Sequence, residues 1–289
     1  MRISAALCAC LSLLSCRKAP LREGIPLYFG IRVEAQFDSL RFVRDLDAVK
    51  AYGAAGLVVE VAPEREPATL FPVLPDRVRR NAVAVGRAAA AAGLPVTWVW
   101  TRNENPPLFV EPWPDSAALF KTLLWEYFSI LDSVPRPERV IIGWDYAPVE
   151  RFGWECALCD TVRRRYGCKT SYIYAAPNEK TFDDCFDEGA VAFPPLAVEE
   201  TRKSARIQHS ALPASSRRPL FAAAVNVLGP DKAKALENRR RFLPKDLPIS
   251  GMTLNSIYSR PVVCDSFSPF GMARDSAALA AVKRWTGVK

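Results

Sequence analysis

Short, nearly continuous apolar runs alternate along this chain with longer stretches whose apolar residues recur every three or four positions. The short runs are Leu27–Val33, Gly56–Val61, Pro95–Thr101, Arg139–Trp144, Thr170–Ala175, Ala190–Phe193, Pro219–Val227 and Ile249–Tyr258. Their continuity predicts strands covered on both faces. The longer stretches predict helices. Asp38–Tyr52 carries Leu40, Val43, Leu46 and Val49 before Gly53, and Asp76–Ala92 places Val78, Ala82, Val85 and Ala89 on one stripe before Gly93. In Asp115–Leu131, the residues Phe120, Leu123, Leu124, Tyr127, Phe128 and Leu131 follow the helical repeat most clearly. Trp154–Tyr166 ends at Gly167, and Asp231–Leu243 and Ser276–Trp285 complete the set. Between 194 and 218 the pattern is irregular and polar, with Glu199–Ile207 as its candidate helix.

Eight strand-then-helix units in one chain predict an α/β fold, a single (β/α)8 TIM barrel. A doubly wound sheet would show a glycine-rich turn after the first strand, and Gly30-Ile31-Arg32 offers none. Function in such a barrel sits at the C-terminal ends of the strands. The residues to read are therefore Arg32, Glu34, Glu60, Trp100, Arg102, Asn103, Trp144, Asp145, Tyr174, Asn178, Pro194, Asn226, Asn255 and Tyr258.

The first residues break from this alternation. Arg2 precedes the apolar run Ile3–Leu14, which is too short to cross a bilayer core of ~30 Å. Leu13-Leu14-Ser15-Cys16 resembles a bacterial lipobox, with Cys16 as the lipidated residue. The expected organisation is a signal peptide over 1–15, a lipidated Cys and basic tether over 16–25, and one barrel over 26–289. The expected location is the bacterial cell envelope, with the membrane as a partner through the anchor.

Composition narrows the chemistry. The 289 residues hold one His, which excludes a site built from several imidazoles. His209 lies in a polar stretch far from any nucleophile elbow and reads as a surface residue. Of the eight Cys, Cys8, Cys10 and Cys16 belong to the signal, leaving Cys156, Cys159, Cys168, Cys185 and Cys264 in the barrel. Export favours one or two disulfides among these five, with plain buried thiols as the alternative. No metal and no cofactor is expected. Net charge is +8, but the basic residues are spread out and lack interleaved aromatics, so no nucleic-acid partner is expected.

A family resemblance lies in the strand-end motifs. Arg139-Val-Ile-Ile-Gly-Trp-Asp145 follows a helix containing Trp125-Glu126-Tyr127. Tyr172-Ile-Tyr174-Ala-Ala-Pro-Asn178, Asp187-Glu-Gly-Ala-Val-Ala-Phe-Pro-Pro195 and Arg218-Pro-Leu-Phe-Ala-Ala-Ala-Val-Asn226 come next in order. This series resembles strands four to seven of clan A glycoside hydrolases, most closely the family 113 β-mannanase group. The resemblance implies an acid/base carboxyl after the fourth strand and a nucleophilic Glu on the seventh. Retaining glycosidases need these two carboxyls ~5–5.5 Å apart. Here the fourth strand offers Asp145, one methylene shorter than Glu, and the nucleophile position falls on Ala222, Ala223 or Ala224. No Asp or Glu occurs between Glu200 and Asp231, so a small shift in alignment restores neither.

The resemblance thus implies a glycan-binding barrel whose catalytic pair has been lost. Exposed Trp faces stack on sugars, and amides satisfy sugar hydroxyls. Trp100, Trp113 and Trp144 are the candidate platforms, while Trp98 and Trp125 are expected to pack between barrel and helices. Arg102, Tyr174, Asn178, Asn226, Asn255 and Tyr258 are the candidate polar contacts. One alternative is an active glycosidase using Asp145 with Glu60 or Asp265 as a relocated second carboxylate. Against it, Glu60 is placed to pair with Arg32 or Arg102 on neighbouring strands. A further alternative is a structural or partner-binding envelope lipoprotein that kept only the fold.

Overall fold

The computed structural model describes residues 25–61, 64–65, 72–100, 125–144, 153–174, 186–193, 220–225, 249–254 and 276–286. The strands are β1 (Leu27–Val33), β2 (Gly56–Val61), β3 (Glu64–Arg65), β4 (Pro72–Val73), β5 (Val96–Trp100), β6 (Arg139–Trp144), β7 (Lys169–Tyr174), β8 (Glu188–Phe193), β9 (Leu220–Val225) and β10 (Ile249–Leu254). The helices are α1 (Ser39–Ala51), α2 (Asp76–Ala91), α3 (125–131), α4 (Gly153–Tyr166) and α5 (Ser276–Thr286).

β1, β2, β5, β6, β7, β8, β9 and β10 pair in parallel, each with the next, and β10 pairs back to β1. The sheet is a closed barrel, as the alternation of runs predicts. β6 is its fourth strand and β9 its seventh. A small antiparallel ribbon, β3 with β4, lies between β2 and α2 and has no counterpart in the expected pattern. Each of its strands is only two residues long, too short to leave a periodicity.

Alternate strand residues build two different layers. Leu27, Phe29, Ile31 and Val33 join Leu57, Val59 and Val61 and the α2 residues Val78, Ala82, Val85 and Ala89 in one hydrophobic cluster. This is the layer between barrel and helices, and each large apolar side chain fully buried there contributes about 1.5–3 kcal/mol. The intervening rows meet inside the barrel. Arg139 of β6 reaches Thr97 of β5 (3.1 Å) and Glu188 of β8 (2.7 Å), and its guanidinium lies 6.0 Å from the centre of the Tyr28 ring of β1. Lys169 adds a second cation to Glu188 at 2.7 Å, and the Tyr28 hydroxyl donates to Glu138 at 2.9 Å. These residues lie at the N-terminal ends of their strands, so the barrel floor is polar.

The floor sets its own protonation. Burial raises the Tyr28 pKa to about 12, helped by the Glu138 charge. Burial works against the charge of Arg139, but Glu188, through charge and hydrogen bond, outweighs it and the guanidinium pKa is raised.

The helix ends follow the glycines. Gly93, with φ of 72°, takes the left-handed conformation after α2, where its amide donates to the Ala90 carbonyl and that of Leu94 to the Ala89 carbonyl. A side chain there would be strained, which is why Gly closes the helix.

Two expectations about packing fail. In α1 the buried stripe is Phe42, Leu46 and Val49, while Leu40 and Val43 are exposed. Phe42 is the larger apolar residue, and it turns the helix so that Leu40 and Val43 leave the seam. Trp125, expected between barrel and helix, is 67% exposed. α3 turns Tyr127, Phe128, Ile130 and Leu131 inward, and the Trp125 ring meets that of Phe128 edge-on. Of the remaining helices, Asp231–Leu243 and Glu199–Ile207 lie outside the described residues, as does the first part of Asp115–Leu131.

Candidate functional site at the barrel mouth

The C-terminal ends of β1 and β2 form one side of the mouth. Parallel register sets Arg32 directly beside Glu60, each one residue before its strand ends. Neighbouring residues in register face the same side of a sheet, so their long side chains meet. Arg32 lies 2.6 Å from a Glu34 oxygen and 3.7 Å from a Glu60 oxygen. All three side chains are partly buried. Arg32 Nε and the Glu34 carboxylate form the closer of the two ion pairs. Glu60 is thus part of an ion-paired row, as its place beside Arg32 predicts.

Behind this row stands an aromatic wall. The Tyr127 hydroxyl donates to the carbonyl of Val61, the last residue of β2, at 3.0 Å. Burial raises the Tyr127 pKa far above its ordinary value, and the charges of Glu60 and Glu126 raise it further. Tyr127 stacks on Trp100, with ring centres 5.2 Å apart, and Phe128 meets the same indole edge-on at 5.5 Å. Trp100 is only 4% exposed. Its expected role as a sugar platform therefore does not fit its position, because both neighbours belong to α3 and Trp100 fills the layer between barrel and helix. Strand position alone does not distinguish the two faces of a strand end.

Other candidate residues are placed by the strands they terminate. Trp144 and Tyr174 are the last residues of β6 and β7. A register shift between Ile141 and Trp144 pairs Trp144 with Ile173, so the fourth strand is irregular where it reaches the mouth. Such bulges re-aim the end of a strand. Arg102, Asp145, Asn178, Asn226, Asn255, Tyr258 and Asp265 lie outside the described residues, as do Trp113, His209 and Cys16. Asn226 and Asn255 nonetheless follow directly on the last residues of β9 and β10. β9, the seventh barrel strand, reads Leu-Phe-Ala-Ala-Ala-Val and falls wholly within the stretch that holds no Asp or Glu.

Cys159 and Cys168 are buried thiols outside any disulfide, the second of the two states open to them from sequence. Burial pushes the Cys168 thiol up to about 11. Among the described residues no His, Cys, Asp and Glu cluster could hold a metal ion, and no helix is long and apolar enough to cross a membrane. A cleft of about 260 Å³ lies at the far end from the mouth, between α2 and the loop before β6, lined by Leu94, Trp98, Val134 and Arg136 among others. It is separate from the strand ends that carry the candidate chemistry.

No protein-family model matches the sequence, and no curated protein matches it either. Solved structures do match. A GH113 β-1,4-mannanase superposes with a TM-score of 0.65 at 14% identity, covering 93% of this chain and 100% of that one. The GH113 β-mannanase of Alicyclobacillus acidocaldarius in complex with ManMIm gives 0.66 at 15% identity, covering 93% and 99%. A GH5_18 protein of Streptomyces cattleya in complex with GlcNAc gives 0.61 at 16% identity, covering 92% and 81%. The closed parallel barrel, its strand order and these superpositions together give this chain a TIM-barrel fold, the fold it shares with these GH113 and GH5_18 structures.

Proposed function

We propose that this chain is an exported, lipid-anchored glycan-binding barrel that has lost the catalytic pair of a retaining glycosidase. One observation carries the reading: β9 occupies the seventh place in the barrel, and neither it nor the residues from 201 to 230 contain a carboxylate. Without that group no glycosyl-enzyme can form at the usual position. The fourth strand ends at Trp144 and passes to Asp145, so the acid/base position also departs from Glu. Trp144, Arg102, Tyr174, Asn178, Asn226, Asn255 and Tyr258 supply aromatic and polar groups at or just past strand ends. The solved neighbours include complexes with ManMIm and with GlcNAc, which supports a sugar as the ligand class. Leu13-Leu14-Ser15-Cys16 supports the anchor.

A second reading keeps hydrolysis, with Asp145 and Glu60 as an inverting pair ~6.5–9.5 Å apart. Its support is the position of Glu60 at the mouth; its difficulty is Arg32, which already engages Glu60. Asp265 is the alternative second carboxylate. Incubation with manno-, gluco- and xylo-oligosaccharides separates these readings. Binding without release of reducing ends, and loss of binding in Trp144→Ala, is the expected result. Turnover abolished by Asp145→Asn would overturn the non-catalytic reading. Absence of binding across a broad glycan array would favour a partner-binding envelope protein. Labelled palmitate is expected in the wild type and not in Cys16→Ser.

A further inference from the structure

The barrel has a second face, and its charge is not random. In this fold the helices run antiparallel to the strands, so helix C-termini and strand N-termini share one end. Gly53, Gly93 and Gly167 mark that end, each two or three residues before β2, β5 or β7. Cations collect there. Lys50 lies in the last turn of α1, Arg163, Arg164 and Arg165 in that of α4, and Lys283 and Arg284 in that of α5. Arg136 stands in the loop before β6, and Arg87 of α2 donates to the Ser133 carbonyl of the same loop.

Carboxylates answer only part of this charge. Asp132 pairs with Arg165, and Asp160 and Asp187 with Arg163, while Glu188 takes both Arg139 and Lys169. Glu138 receives the Tyr28 hydroxyl. Lys50, Arg87, Arg136, Arg164 and Lys283 have no carboxylate partner among the described residues, while the exposed acids Asp132 and Asp160 are taken by Arg165 and Arg163 and Asp47 of α1 is exposed beside them. Helix C-termini attract cations, which accounts for some of the pattern. It accounts for Arg136 as well, since its guanidinium donates to the Gly167 carbonyl at the end of α4, but it does not cancel the charge, because a carbonyl carries no net charge to offset a guanidinium.

The chain also enters the barrel at this face. The Trp285 indole of α5 donates to the Ile25 carbonyl at 3.3 Å, two residues before β1. Cys16 precedes Ile25 by 25 − 16 = 9 residues. Fully extended, nine residues span at most about 30 Å, less than the breadth of such a barrel with its helices. The intervening residues carry Arg17, Lys18 and Arg22 against Glu23.

We propose that this N-terminal face lies against anionic phospholipid, so that the mouth points away from the bilayer toward its ligand. The proposal rests on the anchor reading for the short tether, but its charge argument stands on the folded barrel alone. A basic patch adds a second membrane signal to an acyl chain, and here it sets orientation.

The test uses the chain from Arg17 onward, which holds every barrel strand and has no acyl chain. Co-sedimentation with vesicles containing phosphatidylglycerol is compared with pure phosphatidylcholine. Binding is expected only to the former and is expected to vanish at high salt. Arg136→Glu, Arg164→Glu and Lys283→Glu together are expected to weaken it by about fivefold per position. Arg136→Lys with Arg164→Lys is expected to keep it, which shows that charge and not misfolding is read. Equal binding to both vesicles, or binding that survives the three reversals, overturns the proposal. If palmitate enters Cys16 but the acyl-free chain ignores phosphatidylglycerol, the anchor stands and this inference falls. If the acyl-free chain prefers phosphatidylglycerol while Cys16 takes no palmitate, the inference stands and the anchor falls.

Discussion

Arg139 and Glu188 meet on the barrel floor, Nε to Oε2 at 2.7 Å, with both side chains only 2% exposed. They stand on strands that are not neighbours, so the contact crosses the interior. Removing one member leaves the other charged and out of reach of water. Glu188→Gln is expected to cost about 3–5 kcal/mol, read as a lower urea midpoint. Replacing both, as Arg139→Met with Glu188→Leu, is expected to recover much of that loss, because the desolvation of two ions disappears with them.

Trp100 separates stability from binding. It stacks on Tyr127 and meets the edge of Phe128 in the layer between barrel and α3. Trp100→Ala is expected to cost about 3–5 kcal/mol by opening a cavity. Oligosaccharide affinity, measured on the fraction that stays folded, is expected to remain within a few-fold of wild type. Trp144→Ala is expected to do the reverse. A large loss of affinity in Trp100→Ala without loss of stability would return Trp100 to the ligand site.

Gly56 is a site where only hydrogen fits. A Cβ there would sit 2.6 Å from the Pro95 carbonyl oxygen and 2.9 Å from the Tyr28 ring. The carbonyl is backbone at the start of β5 and cannot swing away. Gly56→Ala is expected to cost about 1–3 kcal/mol through overpacking, seen as a lower thermal midpoint. Gly93→Ala, where a Cβ meets nothing, is strained through its φ of 72° instead.

The strand count and their order were legible because buried parallel strands are continuous apolar runs, and the runs come in barrel order. What escaped the pattern was polar and inward. The sixth run was expected from Ala190, but β8 begins at Glu188, a carboxylate held inside by Arg139 and Lys169. Hydropathy cannot count a charged residue as interior when its partners are 49 and 19 positions away. The Arg32–Glu60 pair was legible, since neighbouring runs of similar length put the two in register. The face of Trp100 was not, because its neighbours Tyr127 and Phe128 come from a helix some 27 positions on. That β9 holds no Asp or Glu needs only the strand order and the letters between 201 and 230.

Cys168 gives the folded chain an alkaline weakness. Its thiol is buried, and its pKa rises to about 11 from an ordinary value of 9.0. The folded state therefore keeps a proton that the unfolded chain releases in this range. More protons bound in the native state means that stability falls as pH rises, by at most about 1.4 kcal/mol per pH unit for one group. The stabilisation is whole below pH 9 and is lost progressively toward pH 11. Tyr28, raised from 10.0 to about 12, extends the same trend upward. Urea midpoints measured from pH 8 to pH 10 are expected to decline less steeply in Cys168→Ala than in the wild type. The same burial predicts that neither Cys159 nor Cys168 reacts with an aromatic disulfide reagent at pH 8 until the chain is unfolded. Parallel declines in wild type and variant would assign the alkaline loss to other groups.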